Sequence, residues 1–327
     1  LMFRPALPEV QQFLVDVIDD LITKYDVDGI HFDDYFYPYP KRGLEFDDSK
    51  EYQAYISQGG NLRKDDWRRD NVNKMIKEVG ETIKAEKLWV KFGVSPFGIW
   101  QNGYPTGIAG LESYKSLYSD SRKWLQEGWV DYLTPQIYWN IDAPKQSYSR
   151  ILQWWMEQNT QNRHVYAGSN IVQGGPAAEA PSIQEGIRRI QVTRELGAQG
   201  IVFYSARALV RNNSLAESFR MSCFPRLALT PAMPWKEDVA PAAPENVQWT
   251  VDSLGNHRLQ WSSSLDSSTY RWAVYKRVNS TYTLLKVIPA RESSLTISLT
   301  EAGSPSAKFA VSALDRLNNE SERVNAQ

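Results

Sequence analysis

Two adjacent carboxylates, Asp33 and Asp34, lie within residues 27–40, V-D-G-I-H-F-D-D-Y-F-Y-P-Y-P. The apolar run ahead of them reads as a short strand, in which successive side chains face opposite ways. Ile30 and Phe32 then share one face, and His31, Asp33 and Tyr35 the other. Cleaving a glycosidic bond takes one carboxyl to protonate the leaving oxygen and another to act as nucleophile or as base toward water. Asp33 is the first candidate, and Asp34 the next if the chain bends after the strand. Tyr35 and Tyr37 add flat amphipathic rings that suit the C–H faces of a sugar. His31 either orients Asp33 and touches substrate or is an ordinary strand histidine. An acid pair at a strand end can also do no more than meet solvent, so the surrounding elements carry weight.

Just before this strand, residues 9–25 place Val10, Phe13, Leu14, Val17, Ile18, Leu21 and Ile22 at amphipathic-helix spacing. Helix and strand then alternate: a helix through Val72, Met75, Ile76, Val79 and Ile83, a strand over 88–94, a short helix over 121–127 and a strand over 130–138. A helix over 148–158, a strand over 165–169, a helix from Ser182 and a strand over 200–205 complete the series. Glu185 follows Ser182 at capping-box spacing. Such alternation predicts an α/β architecture with a parallel sheet, here about five units of a TIM-type (β/α) barrel. Active-site loops of that fold gather at the C-terminal ends of the strands.

Those ends hold Trp100, Gln136, Tyr138, Trp139, Asn140 and Arg207. With His31, Tyr35 and Tyr37 they are the expected substrate-binding residues, the rings by stacking and Gln136, Asn140 and Arg207 by directional hydrogen bonds. For Trp100 and Trp139 the alternative is packing beneath their own loops. A further acid could come from Asp142, from Asp65 or Asp66 in the long polar connection over 41–69, which reads as an ordered lid, or from barrel units ahead of the first strand. Arg68 and Arg69 at its end serve either a salt bridge or substrate. The Gly-Gly-Pro at 174–176 reads as a loose loop.

The stretch D-G-I-H-F-D-D-Y-F-Y-P resembles the signature of the bacterial glycosyl hydrolase-like family ten. Further matches follow in order: D-W-R-R-D-N-V-N at 66–73, V-K-F-G-V-S-P-F-G-I-W at 90–100, Y-L-T-P-Q-I-Y-W at 132–139 and G-I-V-F-Y-S-A-R at 200–207. The resemblance covers residues 1–235. It implies a barrel hydrolase acting on glycan, in one branch peptidoglycan strands stripped of their peptides, and a periplasmic or cell-surface location with a lipid anchor in the full-length protein. It also implies three β/α units ahead of the first strand seen here. A half-finished barrel would expose strand edges, so a second copy (self-association), the missing N-terminal segment or the C-terminal sandwich is expected to cover them.

Beyond a linker carrying Pro231, Pro234, Pro241 and Pro244, residues 236–327 turn to short alternating strands with polar turns. That pattern predicts an immunoglobulin-like β-sandwich. Trp261 and Tyr275 resemble the core of a fibronectin type III module.

Over the 327 residues, 37 basic side chains balance 38 acidic ones, which offers no electrostatic argument for nucleic acid. No apolar run is long enough to span a membrane. The one cysteine, Cys223, cannot form an internal disulfide, and its helical apolar setting predicts an inert thiol. No His/Cys cluster at ligand spacing and no phosphate-cradling glycine loop is present, so neither metal nor cofactor is expected. With 12 tryptophans and 17 tyrosines, part of the aromatic excess is read as a sugar-stacking surface. A polysaccharide-cleaving enzyme is therefore the leading expectation, and a non-catalytic carbohydrate-binding protein the alternative.

Overall fold

The computed structural model describes residues 3–171, 182–253, 256–263, 268–303 and 306–327. The Gly-Gly-Pro at 174–176 lies outside the described residues. Contacts divide the chain into two units, Leu1–Cys223 and Phe224–Gln327.

In the first unit α1 (Pro8–Lys24) leads into β1 (Gly29–Phe32). Pro8 opens the helix where its missing N–H costs nothing, and Val15, Ile18 and Ile22 are buried. Phe13 and Val17, at the same spacing, stay exposed. Next come α2 (Ser49–Ser57), α3 (Lys64–Glu86), β2 (Lys91–Val94), α4 (Ser113–Ser116), α5 (Ser121–Gln126) and β3 (Tyr132–Leu133). They are followed by α6 (Tyr148–Gln158), β4 (His164–Asn170), α7 (Ile183–Glu195), β5 (Gly200–Tyr204), α8 (Ala206–Arg211) and α9 (Asn213–Ser222).

The five strands are all parallel, in the order β1-β2-β3-β4-β5, and form a curled half-barrel. Among the described residues β1 pairs only with β2, and β5 only with β4. The strand expected over 130–138 is cut to two residues because Pro135 has no N–H to give the ladder. Pairing resumes beyond it, where Gln136 bridges Phe97 on one side and Gly168 on the other. The connection over 41–69 is largely helical, since α3 starts at Lys64 with Asp65 and Asp66 in its first turn, where acidic side chains favour a helix. Only half of the capping box forms: Ser182 Oγ accepts the Glu185 N–H at 3.1 Å, while Glu185 Oε1 turns away to accept the Ile141 N–H at 2.8 Å.

Trp124 and Trp155 are fully buried, so part of the aromatic excess is core. Each satisfies its indole N–H, to Asn73 Oδ1 at 2.7 Å and to the Gly98 carbonyl at 2.8 Å. Cys223 is buried, and desolvation pushes its thiol pKa up.

The second unit comprises β6 (Glu245–Val251), β7 (His257–Ser262), β8 (Arg271–Val278), β9 (Thr281–Pro289), β10 (Ser294–Ile297), β11 (Lys308–Leu314) and β12 (Val324–Asn325), with α10 (Leu299–Ala302) before β11. Two antiparallel sheets, β10-β7-β6 and β12-β11-β8-β9, enclose a core of Leu259, Trp261, Trp272, Val274, Phe309 and Val311. Trp261 meets Trp272 edge-on at 6.1 Å, and Tyr275 is buried in a separate cluster. Tyr275 is an odd number of residues from Trp272 and so faces the other side of β8, where its hydroxyl donates to Glu320 Oε1 at 2.6 Å.

Candidate active site

The chain turns as soon as β1 ends, with the Phe36 N–H donating to the Asp34 carbonyl at 3.0 Å. This turn gives the two acids unlike surroundings. Asp33 stays exposed, its Oδ1 accepting the Gln136 side-chain N–H and the Asp34 backbone N–H, each at 2.9 Å. Asp34 is folded in, 3% exposed, and its Oδ2 accepts the Tyr39 hydroxyl. Burial pushes the Asp34 pKa up and the neighbouring Asp33 charge adds to the rise, while the Tyr39 hydrogen bond holds it down in part.

Beneath the pair, His31 stacks on Tyr132, its Nδ1 3.0 Å from the Tyr132 hydroxyl and its Nε2 2.8 Å from Ser95 Oγ. Both hydroxyls can donate or accept, so either imidazole tautomer is satisfied. Desolvation lowers the His31 pKa against the pull of Asp33 and favours the neutral ring. Tyr132 continues edge-on to Tyr166, and Tyr166 OH lies 3.1 Å from His164 Nδ1. Burial pushes both tyrosines up to about 12, so they keep their protons. Gly93 makes room for this layer, since a Cβ there would lie 2.1 Å from the Tyr132 ring.

Above the pair, Tyr35 and Tyr204 are 71% and 57% exposed, and Tyr138 stacks on Tyr204 at 5.8 Å. Desolvation, then the charges of Asp33 and Asp34, raises the Tyr138 pKa, so its hydroxyl remains a donor. Trp139 is half-buried, edge-on to Phe97, which in turn meets Tyr39. A cleft of about 610 Å³ opens beside β1, lined by His31, Asp33 and Tyr35 and by apolar side chains of α1 and α3.

Four of the expected substrate contacts are placed otherwise. Trp100 is 7% exposed, stacked on Trp154 with its indole N–H donating to Asp120 Oδ1 at 3.0 Å, because the chain past β2 folds back over α5 and α6. Tyr37 is fully buried against Phe46 and Tyr118, since the turn after Asp34 breaks the strand's alternation. Gln136 commits its amide N–H groups to Asp33 and to the Ser95 carbonyl at 2.9 Å, which makes it a holder of Asp33. Asn140 accepts from the buried Arg189 at 2.7 Å, tying the loop after β3 to α7. Arg207 is exposed in the first turn of α8. Asp142 pairs with Arg188 at 3.2 Å and Asp66 with Arg69 at 2.6 Å, so both are engaged away from the acid pair.

Ser95 and Tyr132 were missed as partners of the site. Gly93 is the signal that could have found Tyr132, because a glycine inside a strand often marks a close approach. Among the described residues no group of three or more His, Cys, Asp or Glu is placed to hold a metal ion, and no helix is long and apolar enough to cross a membrane.

Parallel β/α units, with an acid pair and a tyrosine rim at the strand ends, define a glycosidase-like protein. The chain belongs to the family described as Glycosyl hydrolase-like 10, which matches residues 1–181. It is 36% identical over 340 residues to Glycosyl hydrolase YngK of Bacillus subtilis (strain 168), covering 98% of this chain and 66% of that protein. It is 38% identical over 157 residues to Glycosyl hydrolase DigH of Escherichia coli (strain K12), covering 47% of this chain and 35% of that protein. The chain thus spans less than two thirds of the length of these relatives. Among solved structures, the PgaB (BpsB) glycoside hydrolase domain from Bordetella bronchiseptica is 16% identical, covering 67% of this chain and 63% of that one, with a TM-score of 0.42. The FN3tt structure is 23% identical, covering 27% of this chain and 91% of that one, with a TM-score of 0.22.

Proposed function

We propose that this protein hydrolyses an extracytoplasmic polysaccharide rich in N-acetylhexosamine, such as peptide-stripped peptidoglycan, with Asp34 as proton donor and Asp33 as the second carboxylate. The observation that carries this reading is the unlike setting of two carboxyls at one strand end, one exposed and hydrogen-bonded, the other buried with a raised pKa. Environments that separate two carboxyls in this way divide acid from base. The glycosidic C–O bond breaks as the Asp34 proton passes to the leaving oxygen. Water supplies the new C–O bond at the anomeric carbon and gives up a proton that restores the pair, either directly to Asp33 as base or after a glycosyl ester on Asp33. Tyr35, Tyr138 and Tyr204 supply ring faces for the sugar. Release of reducing ends from peptide-stripped peptidoglycan or chitin-type oligosaccharides tests the reading, and glycan binding with no release overturns it. The engagement of Asp142 and Asp66 in ion pairs favours a second reading, a carbohydrate-binding protein without turnover, and the same assay decides between them.

A donor must be protonated, so activity falls as pH rises through the Asp34 pKa. The Tyr39 hydroxyl lowers that pKa by hydrogen-bonding to the carboxylate. Tyr39→Phe should therefore move the alkaline limb of the pH–rate profile to higher pH. A limb that stays in place or moves down removes Asp34 from the donor role.

A further inference from the structure

A second cavity of about 370 Å³ is lined by Tyr37, Tyr39, Pro40, Phe46, Ser116 and Tyr118. Its volume falls within the range of small-ligand sites, roughly 300–1,000 Å³. Apolar ring and proline surface makes most of the wall, and charge is confined to Lys41, Glu45, Asp47 and Arg68.

Arg68 is engaged mainly within the protein. Its donors go to Asp48 at 2.7 and 2.6 Å, to the Tyr118 hydroxyl at 2.7 Å and to the Phe46 carbonyl at 3.2 Å. What this clamp does is fix the chain that walls the cavity. Tyr37 differs: it is fully buried and lines the cavity, yet its hydroxyl has no hydrogen-bond partner among the described residues. A buried hydroxyl left unpaired costs about 1–3 kcal/mol, a cost that a ligand atom in the cavity would relieve.

Tyr39 joins this cavity to the acid pair, with its hydroxyl on Asp34 and its ring in the wall. From this arrangement we infer a second saccharide subsite, which takes an uncharged pyranose unit of the same glycan next to the one held at Asp33 and Asp34. Tyr37 offers its hydroxyl to a sugar hydroxyl or N-acetyl oxygen, while the rings and prolines cover the C–H face. This assignment rests on the glycosidase reading above and adds to it the length of glycan that the protein grips.

The intact chain should be titrated by calorimetry with β-1,4-linked N-acetylglucosamine oligosaccharides of increasing length. Affinity should rise with length. Ser116→Phe, which puts a ring into the cavity, should bring the affinity for the longest oligosaccharide down to that of the shortest and leave the shortest bound as before. Tyr37→Phe should weaken the longest by about three- to tenfold without lowering thermal stability, because the hydroxyl it removes has no partner in the protein. Length-independent binding by the unsubstituted chain, or equal loss of short and long ligands in both variants, overturns the subsite alone. No binding at any length overturns the glycosidase reading and the subsite with it.

Discussion

Asp33→Asn should lower glycan turnover by about 10²- to 10⁴-fold, the range expected when a positioned acid–base group is lost. The fold should survive, because the two bonds that Asp33 makes inside the protein both end on Oδ1. An asparagine oxygen accepts the same two N–H groups, and the amide nitrogen takes the place of Oδ2. What disappears is the charge, and with it the capacity to take a proton from water or to attack the anomeric carbon. A second readout separates chemistry from folding. Asp33 raises the His31 pKa against the larger effect of desolvation, so the imidazole should titrate at lower pH in the variant, a shift that NMR can follow. Turnover at the level of the unsubstituted protein would take the catalytic role away from Asp33.

Most of the order of the first unit was legible because its longer helices carry a period of apolar residues, whereas the short helices α2, α4 and α8 do not announce themselves in this way. Residues 9–25 predicted α1, and the run into Asp33 predicted β1 and the strand end where the acids lie. Less legible were the facings past each strand end, where the period of two stops applying. Trp100 and Tyr37 follow such ends, and the chain's turn decides their burial. Gln136 illustrates a related failure: as a strand-end amide it looks like a sugar ligand, and only the approach of β1 and β2 shows that its N–H groups are already taken. In the second unit, Tyr275 and Trp272 are both large and apolar enough for a core. Register alone selects Trp272 as the partner of Trp261, and a three-residue offset reverses the face.

Arg68→Ala should cost about 3–5 kcal/mol of folding free energy, the size of breaking a buried ion pair by removing one partner. Arg68 is 2% exposed and Asp48 fully buried, and two of the guanidinium N–H groups grip both oxygens of the carboxylate at 2.7 and 2.6 Å. Desolvation alone would lower the Arg68 pKa, but the bonds to Asp48 and Tyr118 outweigh it and the net shift is upward. For Asp48 the balance runs the same way, with burial raising its pKa and Arg68 and Lys64 together bringing it below the ordinary carboxylate value. A depressed carboxylate pKa contributes stability that is present above the unfolded value and lost as pH falls through the folded one. The gap between the unsubstituted protein and Arg68→Ala in chemical denaturation should therefore be widest near neutral pH and narrow in acid, where Asp48 is protonated in both. Arg68→Met combined with Asp48→Leu should recover most of the loss, because an apolar pair leaves no buried charge. Yet the double variant should still bind glycan less well, since Arg68 also holds the Phe46 carbonyl and the Tyr118 hydroxyl around the chain that presents Tyr39 to Asp34. A loss below about 1 kcal/mol in Arg68→Ala, the scale of an exposed ion pair, would mean that this clamp does not set the stability of the wall beside the acid pair.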